Sequence, residues 1–178
     1  MTDFPIVYRH DCTLSPAEDQ ALRALFKLCF KRELAYLDRQ RFFRELPPHR
    51  WMIFDESDAI IAHIAVYDKV LGTPNGLLPV AGVAEVCTHP DHRGQGMARA
   101  ILAEIHTWAS EQGFGWIMLF GSHAIYGGSG YQCIDNPIRA LDYQSGEWET
   151  ETLEYALVCP LGDEAWPSGT IDLRGPHF

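Results

Sequence analysis

The sequence predicts a single α/β domain over residues 1–178, built on a mixed, mostly antiparallel sheet flanked by helices. Three observations carry this expectation. Apolar runs at residues 51–54, 60–67 and 77–88 are separated by the polar turn Asp55-Glu56-Ser57-Asp58 and by Gly72-Thr73-Pro74-Asn75-Gly76, as in consecutive hairpins. Behind them Ala98, Ile101, Leu102, Ile105, Trp108 and Ala109 recur at three- and four-residue steps, which places them on one buried helix face. Residues 116–120 are then a solid apolar run between Gly115 and Gly121, as a central strand covered on both faces requires.

Taken in order, residues 5–8 predict a short first strand. Ser15-Pro16-Ala17-Glu18 reads as an N-cap with proline at the first helical position and an acidic first turn. The stripe Leu22, Leu25, Phe26, Cys29 and Phe30 extends that helix over residues 16–31. A second helix is expected over residues 37–46, ended by Pro47-Pro48. The hairpins follow, and the long amphipathic run stops at Gly113-Phe114. If the strands at 77–88 and 116–120 are parallel, the helix between them closes a βαβ unit. Residues 124–127 predict a short helix, residues 132–143 and 153–158 further strands, and residues 166–176 an irregular tail.

Composition narrows the function classes. With 47% hydrophobic and 21% charged residues this is an ordinary globular chain. The formal charge of −10 argues against a nucleic-acid partner, which wants a basic face, and favours a small cationic one. Glu147, Glu149, Glu151 and Glu154 are read as a solvated acidic face able to gather such a partner. No apolar leader or membrane-length run is visible. Five cysteines without paired spacing predict reduced thiols and a cytoplasmic location, and the sequence leaves a homodimer open.

The most informative stretch is Glu85-Val86-Cys87-Thr88-His89-Pro90-Asp91-His92-Arg93-Gly94-Gln95-Gly96-Met97-Ala98, a strand, a tight turn and a helix start. The first N–H groups of a helix lack partners within it, and the dipole favours anions there. Gly94 and Gly96 leave room for a phosphate against the backbone while Arg93 screens its charge, so a diphosphate fits this turn. A P-loop would need a Lys-Ser or Lys-Thr pair after its second glycine, and none is present. A dinucleotide fingerprint would need a small residue where Arg99 stands, and would start closer to its strand.

His89-Pro90-x-x-Arg93-Gly94-x-Gly96-x-Ala98 resembles the acetyl-CoA pyrophosphate loop of the GCN5-related N-acetyltransferases, the GNAT superfamily. It departs from the usual signature at Asp91, where arginine or glutamine is common. A second mark, Ile125-Tyr126-Gly127-Gly128-Ser129-Gly130-Tyr131, resembles the Tyr-x-x-x-Gly-aromatic segment that closes the family's cofactor site. Weaker similarities run to the nodulation N-acyltransferases through the tail and to aminoglycoside 2′-N-acetyltransferases through the strand holding Ala62 and His63. The superfamily resemblance implies a sheet whose two central parallel strands splay apart, with acetyl-CoA as co-substrate. Val86, Cys87 and Thr88 would pair with its pantetheine arm, and Arg93, Gly94, Gln95, Gly96, Met97 and Ala98 would bind its diphosphate. The implied reaction is direct acetyl transfer to a primary amine of a small molecule. A longer acyl donor, or a non-catalytic acyl-CoA sensor, is the alternative.

Such a transfer needs a base for a protonated amine of pKa about 10 and an acid for a departing thiolate of pKa about 8.5. Tyr126 is the candidate acid, placed beside the thioester sulfur by the resemblance; on its residues alone it is equally a core tyrosine. Glu85 is the candidate base, a carboxylate in an apolar strand, against the bland reading of a strand-edge charge. Cys87 reads as buried packing, and His63 as a satisfied core histidine. His89 and His92 lack the further ligands that a metal site requires, so no metal is expected.

Overall fold

A computed structural model describes residues 4–30, 35–42 and 45–178 of the chain. These group into two compact units, Met1–Tyr67 with Ala84–Ile105, and Asp68–Val83 with His106–Phe178.

The first unit holds strand β1 (Ile6–His10), helix α1 (Pro16–Cys29), strand β2 (His49–Phe54), the start of β3 (Ile60–Thr73), the end of β4 (Gly76–Thr88) and the start of helix α2 (Met97–Glu111). Antiparallel pairing sets Tyr8 opposite Trp51 and Trp51 opposite Ile64. Helix α1 starts as its sequence dictates: the Ser15 hydroxyl accepts from the Glu18 N–H, and the Glu18 carboxylate accepts from the Ser15 N–H at 2.8 Å. Its inner face packs Leu22, Leu25 and Phe26 against Leu37, Met52, Ile60 and Cys87. Each large apolar side chain buried this way stabilises the unit by about 1.5–3 kcal/mol.

The helix expected over residues 37–46 is not formed. A short 3-10 turn, Ala35–Asp38, stands there instead, and the N–H groups of Arg39 and Gln40 both donate to the Tyr36 carbonyl. Within the turn Leu37 is the buried residue, so no helix-length apolar stripe backs it. Arg41 is drawn off to the carboxylates of Asp11 and Asp19. Residues 43–44 of that expectation, and residue 31 of the first helix, lie outside the described residues.

In the second unit the strand order is β6-β9-β5-β4-β3-β10-β7-β8, with β5 (Trp116–Phe120), β6 (Gln132–Cys133), β7 (Pro137–Leu141), β8 (Trp148–Thr152), β9 (Ala156–Pro160) and β10 (Ile171–Asp172). β4 and β5 are parallel, pairing Ala81 with Ile117 and Val83 with Leu119, so β4, α2 and β5 form the expected βαβ unit. Their pairing ends at Val83, although β4 runs on to Thr88.

β1 and β3 run on to His10 and Thr73, beyond the expected residues 5–8 and 60–67, and three further boundaries differ from expectation. Residues 132–143 form two strands, separated where the Asn136 side chain turns to hold the carbonyls of Pro167 and Gly169. Leu153 lies between β8 and β9, and its burial serves the core rather than a strand. The tail is not wholly irregular: Ile171 and Leu173 alternate into the core, and β10 adds to β7 in parallel.

Candidate active site

The glycine turn is shaped by local backbone chemistry. β4 stops at Thr88, a 3-10 turn spans Pro90–His92, and the His89 side chain accepts from the Asp91 N–H at 3.3 Å. Arg93 folds back so that its Nε donates to the Thr88 carbonyl at 3.3 Å. Gly94 and Gly96 have φ of +76° and +85°, a region side chains rarely enter, and a Cβ at either would meet no protein atom within 4 Å. Both glycines are thus required by backbone conformation and border open space. The Gly96 carbonyl accepts from the Ala100 N–H at 2.9 Å, so α2 begins here, where the first N–H groups of a helix have no partner within it. Gln95 is exposed, while Met97 is buried and anchors the helix start.

Upstream in β4, Glu85 has φ of +51°, a conformation unusual for a residue with a side chain, and it marks an irregularity just beyond the last β4–β5 pair. Its carboxylate is 17% exposed and accepts from Arg50 Nη1 at 2.7 Å. Arg50 is fully buried; its Nε donates to Asp11 Oδ1 at 2.5 Å. Arg41 also binds Asp11, and reaches Asp19 at 3.0 Å. His63, fully buried, sets its Nδ1 3.1 Å from the Glu85 carbonyl and its Nε2 3.1 Å from Arg50 Nη1. Since the carbonyl only accepts and the guanidinium only donates, Nδ1 carries the proton and Nε2 is bare.

Titration follows from these contacts. Burial, reinforced by the Arg50 charge, holds His63 well below the ordinary imidazole value, so the ring is neutral. For Asp11 burial pushes upward, but Arg41 and Arg50 together pull harder and leave it below the usual carboxylate range. Burial wins at Glu85, raising it above the ordinary value against the pull of Arg50. Tyr36, half-buried, is pushed up by burial and by the Glu85 charge, and it lines a cavity of about 640 Å³ with Ala35, Asp38, Arg39 and Gln40.

Cys87 is buried and pushed well above the usual thiol value, first by burial and then by a hydrogen bond with Cys29, which removes it as a nucleophile. Cys29 is correspondingly lowered to about 7 by the Cys87 contact and by Arg93. Val86 is half-buried between Glu85 and Cys87. No group of three or more metal-ligating side chains occurs among the described residues; His89 and His92 stack edge to face at 5.5 Å.

In the second unit Tyr126 closes helix α3 (His123–Tyr126). Its ring lies over Gly121, where a Cβ would come within 2.5 Å of it, and packs edge to face on Tyr131 at 5.9 Å. Tyr131 is buried and within 3.2 Å of His106 Nε2 through its hydroxyl, so the Tyr-x-x-x-Gly-aromatic segment is fixed at its aromatic end. Trp116 and Met118 belong to the unit's core, with Phe120 packed against it.

Residues 13–134 match the family model described as an acetyltransferase (GNAT) domain. The chain belongs to the GNAT family. The GNAT fold recurs in solved structures of low identity. An N-acetyltransferase (YhbS) from Escherichia coli in complex with CoA aligns at 18% identity and TM-score 0.68, over 97% of this chain and 92% of that one. A GNAT acetyltransferase from Brucella melitensis in complex with acetyl-CoA aligns at 14% identity and TM-score 0.60, over 95% and 96%. An acyl-CoA N-acyltransferase from Pseudomonas aeruginosa gives 17% and 0.56, over 74% and 89%. No sequence among the curated proteins matches significantly.

Sequence reasoning missed the polar groups gathered around Glu85. Asp11, Arg41, Arg50 and His63 are scattered over the chain, and only the pairing of β1, β2 and β3 gathers them. The one visible signal was Arg50 and His63 inside otherwise apolar strands. Missed too was the end of the tail, where the Phe178 ring lies against Gly82 and Phe120, with His177 also on Phe120 at 4.8 Å.

Proposed function

We propose that this GNAT protein moves an acetyl group from acetyl-CoA directly to a primary amine of a small molecule. The observation that carries this reading is a carboxylate held on an irregular strand three residues before that strand ends in a turn of left-handed glycines and a helix start. Glu85 receives the amine proton, directly or through water, and burial raises it toward the range where a base works near neutral pH. The Thr88-to-Ala98 turn binds the diphosphate through backbone N–H groups, with Arg93 screening charge. Val86, Cys87 and Thr88 offer backbone groups to the pantetheine arm. Tyr126 donates its phenolic proton to the departing thiolate.

No covalent enzyme intermediate is needed: the protonated amine gives one proton through Glu85 to water, the free amine nitrogen bonds the acyl carbon as the carbon–sulfur bond breaks, and its second proton leaves by the same route. Tyr126 protonates the thiolate and is reprotonated from water, so that amide, CoA thiol and one released proton result. The net charge of −10 supports a cationic acceptor. The free cysteines are in keeping with a reducing cytoplasm. Release of free CoA from acetyl-CoA, measured across polyamines, aminoglycosides and amino acids, tests the reading. At least one amine should accelerate release; binding of acetyl-CoA with no acceleration by any amine contradicts catalysis and leaves an acyl-CoA sensor.

A further inference from the structure

Glu85 is surrounded by titratable groups that the proposed reaction does not use. Arg50 faces it from β2, His63 and Tyr67 from β3, Tyr36 and Arg41 from residues 35–42, Asp11 from the turn after β1, and Cys87 from β4 itself. Direct contact with the carboxylate comes from Arg50, at 2.7 Å, and Arg50 is 0% exposed, so water does not screen its charge. Within this cluster Arg23, Arg41 and Arg50 meet Asp19, Asp11 and Glu85. Among the described residues three cations thus face three carboxylates, with Arg50 as the cation of Glu85.

The backbone of Glu85 is fixed by the same group. Its φ of +51° is unfavourable, and the His63 Nδ1–H donates to its carbonyl at 3.1 Å. That bond requires a bare Nε2, and Arg50 Nη1 supplies the proton Nε2 accepts. One guanidinium nitrogen therefore sets both the imidazole tautomer and the carboxylate. Packing alone would not ask an arginine to bridge a side chain and the ring that holds the same residue's main chain.

We propose that Arg50 and His63 are positioning residues for the base: Arg50 holds the Glu85 carboxylate in its charged, aimed form, and His63 locks the irregular strand that presents it. This rests on the reading of Glu85 as the base. Without Arg50, burial is opposed only by the more distant Arg41 charge, and Glu85 takes up its proton at higher pH.

The test is a carboxyl ¹³C NMR titration of glutamate-labelled protein, with the Glu85 signal identified by its loss in Glu85→Gln. Asp11→Asn with Arg50→Met removes one buried charge of each sign, which keeps the net charge of the cluster while taking the contacting cation away from Glu85. In that variant the Glu85 midpoint should rise by about one pH unit or more, and the acid limb of kcat/KM should rise with it. An unmoved midpoint overturns the proposal. A midpoint that moves without the acid limb shows instead that Glu85 is not the base, which sinks the reaction reading separately. Should the double variant not fold, imidazole ¹⁵N shifts of the unaltered protein decide: a neutral ring protonated on Nδ1 down to pH 5 supports the arrangement, and an Nε2–H tautomer or an imidazolium at pH 6 overturns it.

Discussion

Two influences oppose each other at Glu85, burial raising its proton affinity and Arg50 lowering it, and burial prevails. Below its own pKa the base is protonated, and above the amine's pKa, about 10, the acceptor no longer needs one. Glu85→Gln should therefore slow acetylation most between those limits and progressively less as free amine accumulates. Initial rates from pH 5 to 10 check this, and a uniform reduction at every pH removes Glu85 as the base. At Tyr126 binding and chemistry fall to different parts of the side chain. Tyr126→Phe keeps the ring that covers Gly121 and packs on Tyr131. It should lower the single-turnover rate by about 10²-fold with acetyl-CoA affinity nearly unchanged. A fall of less than about threefold reassigns the hydroxyl to packing.

At the scale of elements, the glycine turn is constrained by backbone rather than by crowding. A valine at Gly96 would meet no protein neighbour, yet its φ of +85° is strained for a β-branched residue, and its methyl groups would enter the anion's space. Gly96→Val should weaken acetyl-CoA binding at least about tenfold, or roughly 1.4 kcal/mol, while far-UV circular dichroism stays unchanged. Equal affinity by calorimetry would count against the turn as the diphosphate site. This turn was legible because its glycines, proline and helix stripe are local signals, as were the α1 N-cap with its proline and acidic first turn and the β2–β3–β4 hairpins. The segment after α1 was not: a turn fixed by Arg41 reaching Asp11 and Asp19 depends on partners distant in sequence. Leu153 misled for a related reason, since a buried apolar residue marks the core without marking a strand.

At the scale of the whole molecule, the family was readable from two short motifs, whereas the ion network behind Glu85 exists only once strands from residues 6 to 88 are paired. That network also sets how stability depends on pH. His63 in the fold binds its proton far less readily than the ordinary imidazole of the unfolded chain, about 6.5. Its contribution is fully present above that value and is lost as pH falls below it. Asp11, lowered in the fold, adds a second loss below its unfolded value, about 3.9. Glu85, raised in the fold, acts in the opposite sense, so the His63 share is read by difference: the change in melting temperature from pH 7 to pH 5 should be less unfavourable in His63→Asn than in the unaltered chain, and an unchanged slope would mean that other groups carry it. The account as a whole is tested most directly by amine-dependent CoA release at saturating acetyl-CoA, compared between the unaltered chain and Glu85→Gln combined with Tyr126→Phe. It predicts acceleration by at least one amine, largely abolished in the double variant while acetyl-CoA binding persists. Equal amine-dependent rates in the two proteins would contradict it.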